Sequence, residues 1–242
     1  MLGLGEAGSL IGADLARAGV HVRGWDPLVD RAEGVETTDG PAAVADGADV
    51  VVSVNSAADS LEAARSVRLR PGQLYADFNT ASPGRKREVA ALIEPTGAAF
   101  ADVALMQSVP GRGLKTPALA SGPGAERFAT LFAEMGMPVT DGGPETGLAA
   151  SRKLARSVFV KGLAAAVAES LVAGERLGCH DWLRADIART LRAADVEHLV
   201  EGSRRHARRR ADEMAAAEAM LEELDIEPRV AHAARQWLEE LA

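Results

Sequence analysis

Two sets of residues in this sequence have the types and the spacing to do chemistry. The first, Gly3-Leu4-Gly5-Glu6-Ala7-Gly8, satisfies G-x-G-x-x-G and leads into an amphipathic run from Ser9 to Ala18, closed by Gly19. In that pattern the first glycine permits a tight turn and the second lets backbone N–H groups approach a pyrophosphate. The third lets the following helix pack close to a strand, with its N-terminal dipole facing the anion. Asp26 stands about 18 residues after Gly8, at the end of a strand-like run, where a carboxylate accepts hydrogen bonds from an adenosine ribose. Gly3, Gly5, Glu6, Ala7, Gly8 and Asp26 are therefore the candidate binding residues for NAD or NADP. A carboxylate repels a 2′-phosphate, which favours NAD, and Arg31 is the nearby cation that could reverse the preference. The competing reading is a glycine turn that only packs a helix and an aspartate that only opens a turn before Pro27.

The second set is Lys153, Ser157 and Lys161. On a helix they fall at i, i+4 and i+8, lining one stripe with its ends roughly 12 Å apart, as in the wall of a polar cleft. A lysine takes a proton only when its pKa is brought down from about 10.4 by desolvation or a second cation, and Lys161 is the cation at hand. Alternatively, Lys153 lays its stem along apolar surface and keeps its ammonium in water. Asn55, Asn79 and Thr80 close two strand-like runs at the sheet edge where open α/β folds bind ligands, or else form turns and caps. Asn55 and Thr80 are counted as cofactor contacts. His206 flanks an apolar stripe and, with an arginine of the run Arg204 to Arg210, can hold a carboxylate or phosphate. Its competing reading is a structural histidine beside a solvated face neutralised by Arg208–Asp212 and Arg209–Glu213 pairs. His21, His180, His198 and His232 show no metal-ligand spacing with one another or with Cys179.

The elements that must position these residues fall into two textures. Residues 1–144 alternate short β-rich runs with helical stretches, the pattern of a parallel sheet covered by crossover helices: an α/β, Rossmann-type dinucleotide-binding domain. The clearest strands are Val20 to Trp25, Asp49 to Val54, Leu74 to Phe78 and Ala98 to Ala104, followed by weaker runs at Pro117 to Ser121 and Met137 to Thr140. Only Met1 and Leu2 precede the glycine turn, so the first strand is expected to be a stub or to continue upstream. Residues 145–242 read as all-helical, beginning with one helix over Glu145 to Leu177, about 45 Å long at 1.5 Å per residue. A second long helix is expected to carry Val196, Leu199, Val200, Ser203, Ala207, Ala211, Met214, Leu221 and Leu224 as one stripe, serving as core or as a subunit interface.

Composition excludes several function classes. The 242 residues contain 27 Lys+Arg against 35 Asp+Glu, a net charge of -8 that repels nucleic acid and anionic membranes. With Cys179 as the only cysteine, no internal disulfide can form, and a reducing cytoplasm is the expected compartment. The longest apolar stretch is interrupted by charge, so no membrane partner is expected.

Four segments carry a family resemblance. Gly3 to Gly19 resembles a G-L-G-x-M-G opening with Ala7 at the methionine. Asp77-Phe78-Asn79-Thr80-Ala81-Ser82-Pro83 is similar to D-x-S-T-x-x-P, with Thr80 kept and Asn79 replacing serine. Asp102 to Gly122 takes the place of a D-A-P-V-S-G-G run, with Met106, Gln107 and Ser108 where serine and two glycines stand. Gly147 to Lys153 resembles the approach to the lysine of G-x-x-x-K-x-x-x-N, with Ser157 replacing the asparagine. These are motifs of the β-hydroxyacid dehydrogenases, which include 6-phosphogluconate and 3-hydroxyisobutyrate dehydrogenases. Lys161-Gly162-Leu163 and Arg204 to Met214 look more like a divergent, phosphogluconate-dehydrogenase-like bacterial branch with its own C-terminal domain.

The resemblance implies an NAD(P)-dependent dehydrogenase acting on the CH–OH group of a small 3-hydroxy acid. In it Lys153 takes the hydroxyl proton and Thr80 lies near the nicotinamide; Ser108, Ser157, Lys161 and His206 are the candidate substrate-binding residues. A homodimer through the helical domain is the expected assembly. The alternatives are an imine or ketone reductase of the same architecture, or a nucleotide-binding regulator without turnover, suggested by the short first strand and the altered Met106–Ser108 segment.

Overall fold

The alternation read from the sequence becomes a layered α/β unit because its central strands are apolar on both sides. Along β4 (Leu74–Asp77) every residue is buried, and successive side chains enter different cores: Leu74 and Ala76 pack with Phe128 and Phe132, Tyr75 with Val89 and Ile93. In chain order the unit holds α1 (Glu6–Arg17), β1 (Val22–Gly24), β2 (Val35–Thr37), α2 (Pro41–Val44), β3 (Val50–Ser53) and α3 (Ser60–Ser66) before β4. After it come α4 (Pro83–Ile93), β5 (Ala99–Leu105), β6 (Ala118–Ser121), α5 (Ala125–Glu134) and β7 (Val139–Asp141). The computed structural model describes residues 1–191, 196–223 and 227–242, and only the backbone of residues 169, 170, 172, 173, 176 and 196.

Strands β3 to β7 lie side by side in chain order, and β1 pairs with β2 in a second, two-stranded sheet. Leu2, 1% exposed, bridges Trp25 and Ser53 in parallel and so joins the two sheets; this is the place of the expected stub. The six expected strands are all present with ends shifted by no more than two residues, and β2 is an addition. The sheet is parallel as expected except for one pair, β5 and β6, which run antiparallel with Asp102 opposite Ser121. Their connection contains a short 3-10 turn at Gly113–Lys115 in place of a crossover helix, and only a crossover brings the chain back for a parallel strand.

The chain divides into compact units at Lys153 and Leu154, later than the change of texture at Pro144. The division falls inside α6 (Leu148–Arg176), whose first turn is tied to the sheet by hydrogen bonds described below. The second unit continues with α7 (His180–Thr190), α8 (Val196–Arg205), α9 (Ala207–Glu223) and α10 (Arg229–Glu240). Its main core interleaves small and flexible side chains: Leu154, Ala211, Met214, Ala217, Ala231 and Leu238. The single striped helix expected over Val196 to Leu224 is two helices, broken at His206. Across the break Arg210 Nη1 donates to Ser203 Oγ at 2.8 Å and its guanidinium lies over Gly202, a reach that the bend permits. The Val196 side chain and Leu224, with Asp225 beyond it, lie outside the described residues. Among the described residues no helix is long and apolar enough to cross a membrane.

Candidate active site

The glycine turn is built as its spacing requires. Gly3 has φ +99°, and a Cβ there would collide with the Val54 carbonyl oxygen and stand 2.6 Å from Asn55 Oδ1. A Cβ on Gly8 would collide with the Gly3 carbonyl oxygen, so turn and helix must close on each other without side chains. Gly5 differs, since a Cβ there would meet nothing within 4 Å. Gly5 also caps α1 without any side-chain hydrogen bond to the first-turn N–H groups of the helix. An open face at Gly5 above an uncapped helix N-terminus fits the pyrophosphate of a dinucleotide. Glu6 is exposed there and Ala7 half-buried.

Asp26 fastens this turn to the end of β1: Oδ2 accepts from Leu4 N and Oδ1 from Leu28 N, both at 2.8 Å. Each oxygen retains a lone pair for a ribose hydroxyl. Beside it lies a cavity of about 470 Å³ lined by Trp25, Asp26, Asp30, Thr37, Thr38 and Asp39 among others, with no lysine or arginine in its wall. Arg31 is exposed.

Next along the sheet edge, Ser53 Oγ accepts from Asn55 Nδ2 and from Asn79 Nδ2, each at 3.0 Å, and Asn55 N donates to Asn79 Oδ1. Asn79, 2% exposed, is thus a brace between the ends of β3 and β4. It leaves Thr80 half-buried as the next residue. Thr80 Oγ1 accepts a hydrogen bond from Lys153 Nζ at 2.6 Å, so two candidates 73 residues apart in sequence meet here.

Both partners rest on a buried triad that sequence reasoning missed. Lys86 on α4 is 1% exposed; its Nζ donates to the Asp77 carbonyl at 2.8 Å and lies 3.3 Å from Asp77 Oδ2 and 3.2 Å from Asp102 Oδ1. Those carboxylate oxygens have no aligned hydrogen bond, so the ammonium is what balances them. Asp77 Oδ1 accepts from Asn79 N at 2.9 Å. Asp102 Oδ2 accepts from Ala150 N at 2.9 Å, and Ser121 Oγ accepts from Ala149 N at 2.9 Å, which ties the start of α6 to β5 and β6. Burial pushes the Asp77 carboxyl above its usual range; Lys86 and the Asn79 N–H pull it down, and Asp102 adds to the push. A signal did exist: Lys86 falls on the buried stripe of α4 with Pro83, Val89 and Ile93.

Each remaining candidate has its own local surroundings. Ser108 is exposed on the loop after β5. Ser157 is 4% exposed, within the helical unit. Lys161 Nζ pairs with Glu213 Oε2 at 3.0 Å, both side chains mostly buried. Arg209 joins the same carboxylate at 4.0 Å. His206 is half-buried at the break between α8 and α9, its carbonyl accepting from Arg210 N at 2.9 Å.

Comparison with known proteins places the chain in a family. Residues 1–141 match the family described as the NAD binding domain of 6-phosphogluconate dehydrogenase, and residues 175–241 match a domain of unknown function (DUF1932). A probable 3-hydroxyisobutyrate dehydrogenase of Mycobacterium tuberculosis is 30% identical over 190 residues, 73% of this chain and 64% of that protein. The match therefore spans less than two thirds of that relative. Among solved structures, the conserved protein MTH1747, of unknown function and similar to 3-hydroxyacid dehydrogenases, superposes with TM-score 0.75 at 30% identity over 99% of this chain and 95% of its own. The 3-hydroxyisobutyrate dehydrogenase of Mycobacterium tuberculosis shares the fold, with TM-score 0.81 at 22% identity over 100% and 92% of the two chains. With a family model matched over more than half of its length, the chain belongs to the β-hydroxyacid dehydrogenase family.

Proposed function

We propose that this protein is an NAD-preferring dehydrogenase of small 3-hydroxy acids, with Lys153 as the group that takes the hydroxyl proton. The observation that carries the reading is the 2.6 Å contact of Lys153 Nζ with Thr80 Oγ1. It stands at the end of β4, on the carboxyl edge of the sheet, where open α/β folds bind their ligands. A bound nicotinamide would supply the hydride acceptor. Gly5 and the first turn of α1 hold the pyrophosphate, and Asp26 takes the ribose. By accepting from Lys153, Thr80 orients the amine and keeps its own O–H for a further acceptor.

The three carboxylates around the ribose-side cavity support NAD over NADP. One unfavourable exposed charge pair is worth about 1 kcal/mol, so NAD should bind about 5- to 10-fold more tightly. Titration of both cofactors, followed by a panel of 3-hydroxy acids with wild type and Lys153→Ala, tests the reading. Equal binding of NADP would refute the cofactor choice, and wild-type turnover by Lys153→Ala would refute the mechanism. For assembly, we propose self-association through the helical unit, where Phe159 and Val230 are 69% and 57% exposed. Sedimentation of the wild type against Phe159→Glu tests it, and a monomeric wild type refutes it.

A further inference from the structure

We propose that Lys86 is a positioning residue of this site, locking the strand end that carries Thr80 to the helix start that carries Lys153. The inference rests on the reading of Lys153 given above. Its basis is a closed ring of contacts. From Thr80 the chain steps back to Asn79, whose N–H is held by Asp77 Oδ1. Asp77 Oδ2 and its carbonyl meet Lys86 Nζ, which also meets Asp102 Oδ1. Asp102 Oδ2 holds Ala150 N, and one helical turn further on Lys153 Nζ returns to Thr80 Oγ1.

The choice of residue fits the task. An ammonium offers three donors from one point, and Lys86 faces three acceptors, two carboxylate oxygens and one carbonyl, at 2.8 to 3.3 Å. The planar guanidinium of arginine cannot converge on them in the same way. Arginine is otherwise the general cation of this chain: of 27 Lys+Arg only four are lysines, and of those only Lys115 is exposed. Burying an ion triad rarely adds stability over an apolar core, whereas a ring that includes both reacting-site residues defines their separation. A displacement of about 1 Å at such a pair costs on the order of 100-fold in rate.

The test uses the charge-conserving double variant Lys86→Met with Asp77→Asn. With both aspartates ionised the triad carries one net negative charge, and the double variant keeps it. The amide oxygen introduced at position 77 can still accept from Asn79 N, and only the ammonium bridge is lost. With ¹³C-labelled lysine the wild type gives four Cε signals, assigned for residue 153 by Lys153→Arg. The expected result is a Lys153 signal shifted toward that of exposed Lys115, with kcat on the best 3-hydroxy acid down about 10- to 100-fold. NAD affinity should stay within about twofold, since the glycine turn and Asp26 are untouched.

A folded double variant with the Lys153 signal and kcat unchanged overturns the proposal and leaves the triad a purely structural element. If the double variant does not fold, Asp102→Asn takes its place. It retains an acceptor for Ala150 N and one balanced Lys86–Asp77 pair, and the same signal decides. Failure of the underlying reading looks different: Lys153→Ala then turns over normally, while the Lys153 signal still responds to loss of Lys86.

Discussion

The two compact units of this chain bury different kinds of atoms. In the first, the interior at the sheet edge is polar and fully engaged: Ser53, Asp77, Asn79, Lys86, Asp102 and Ser121 are each at most 2% exposed, and each meets a defined partner. In the second, the main apolar core is built of alanine, methionine and leucine. Hydrogen bonds and ion pairs have narrow geometry, whereas a methionine adapts to its neighbours. The contrast teaches that buried polar groups are linked into one network at the sheet edge of the first unit, whereas in the second they stand as ion pairs and single hydrogen bonds beside an apolar core.

The comparison can be broken or sharpened by substitution. The largest effect should come from Lys153→Ala, which we expect to lower kcat by about 10²- to 10⁴-fold with NAD affinity unchanged, as read by steady-state kinetics and cofactor titration. Met214→Ala, at a fully buried site of the helical core, should cost about 2–5 kcal/mol in urea unfolding yet leave NAD affinity as it was. A loss of NAD binding there would erase the distinction between the units. A Cβ at Gly5 meets nothing within 4 Å, so Gly5→Ala should fold normally while weakening NAD by about 10-fold. Calorimetry and titration together check that split.

The smallest effect is on pH dependence. Burial raises the Asp77 pKa in the folded state, so the folded protein holds that proton more tightly than the unfolded chain does. This contribution to stability is complete below the unfolded value of about 3.9 and is lost as pH rises through the raised value. Urea midpoints across that window should therefore fall more steeply with pH in the wild type than in Asp77→Asn.

Much of the first unit was legible because its signals are local. Gly3, Gly5 and Gly8 are consecutive constraints on one turn, and Asp26 follows at the distance that one helix and one strand impose. The meeting of Lys153 with Thr80 was legible through resemblance, since a lysine among alanines and valines carries no unique periodic mark. Lys86 was missed because it sits between Arg85 and Arg87, where a charged run reads as a solvated face, and only its register with Val89 and Ile93 betrays burial. The reversal between β5 and β6 was illegible, because strand direction is set by the path of the connecting loop. The break at His206 carries neither glycine nor proline to mark it, and only the structure shows Arg210 reaching Ser203 across it.

The order of strands in the sheet has a kinetic consequence. From β3 to β7 each strand pairs with the one synthesised just before it, so loop-closure entropy stays small and the sheet can grow in the direction of translation. One fastening departs from that economy: Asp14 Oδ2 on α1 accepts from Leu114 N across 100 residues, at 2.7 Å. The helix that presents the glycine turn therefore gains this anchor only after the chain has passed β5. Folding experiments should find the β3–β5 ladder protected from exchange early and the Asp14 latch late, so that competence for dinucleotide arrives near the end of folding.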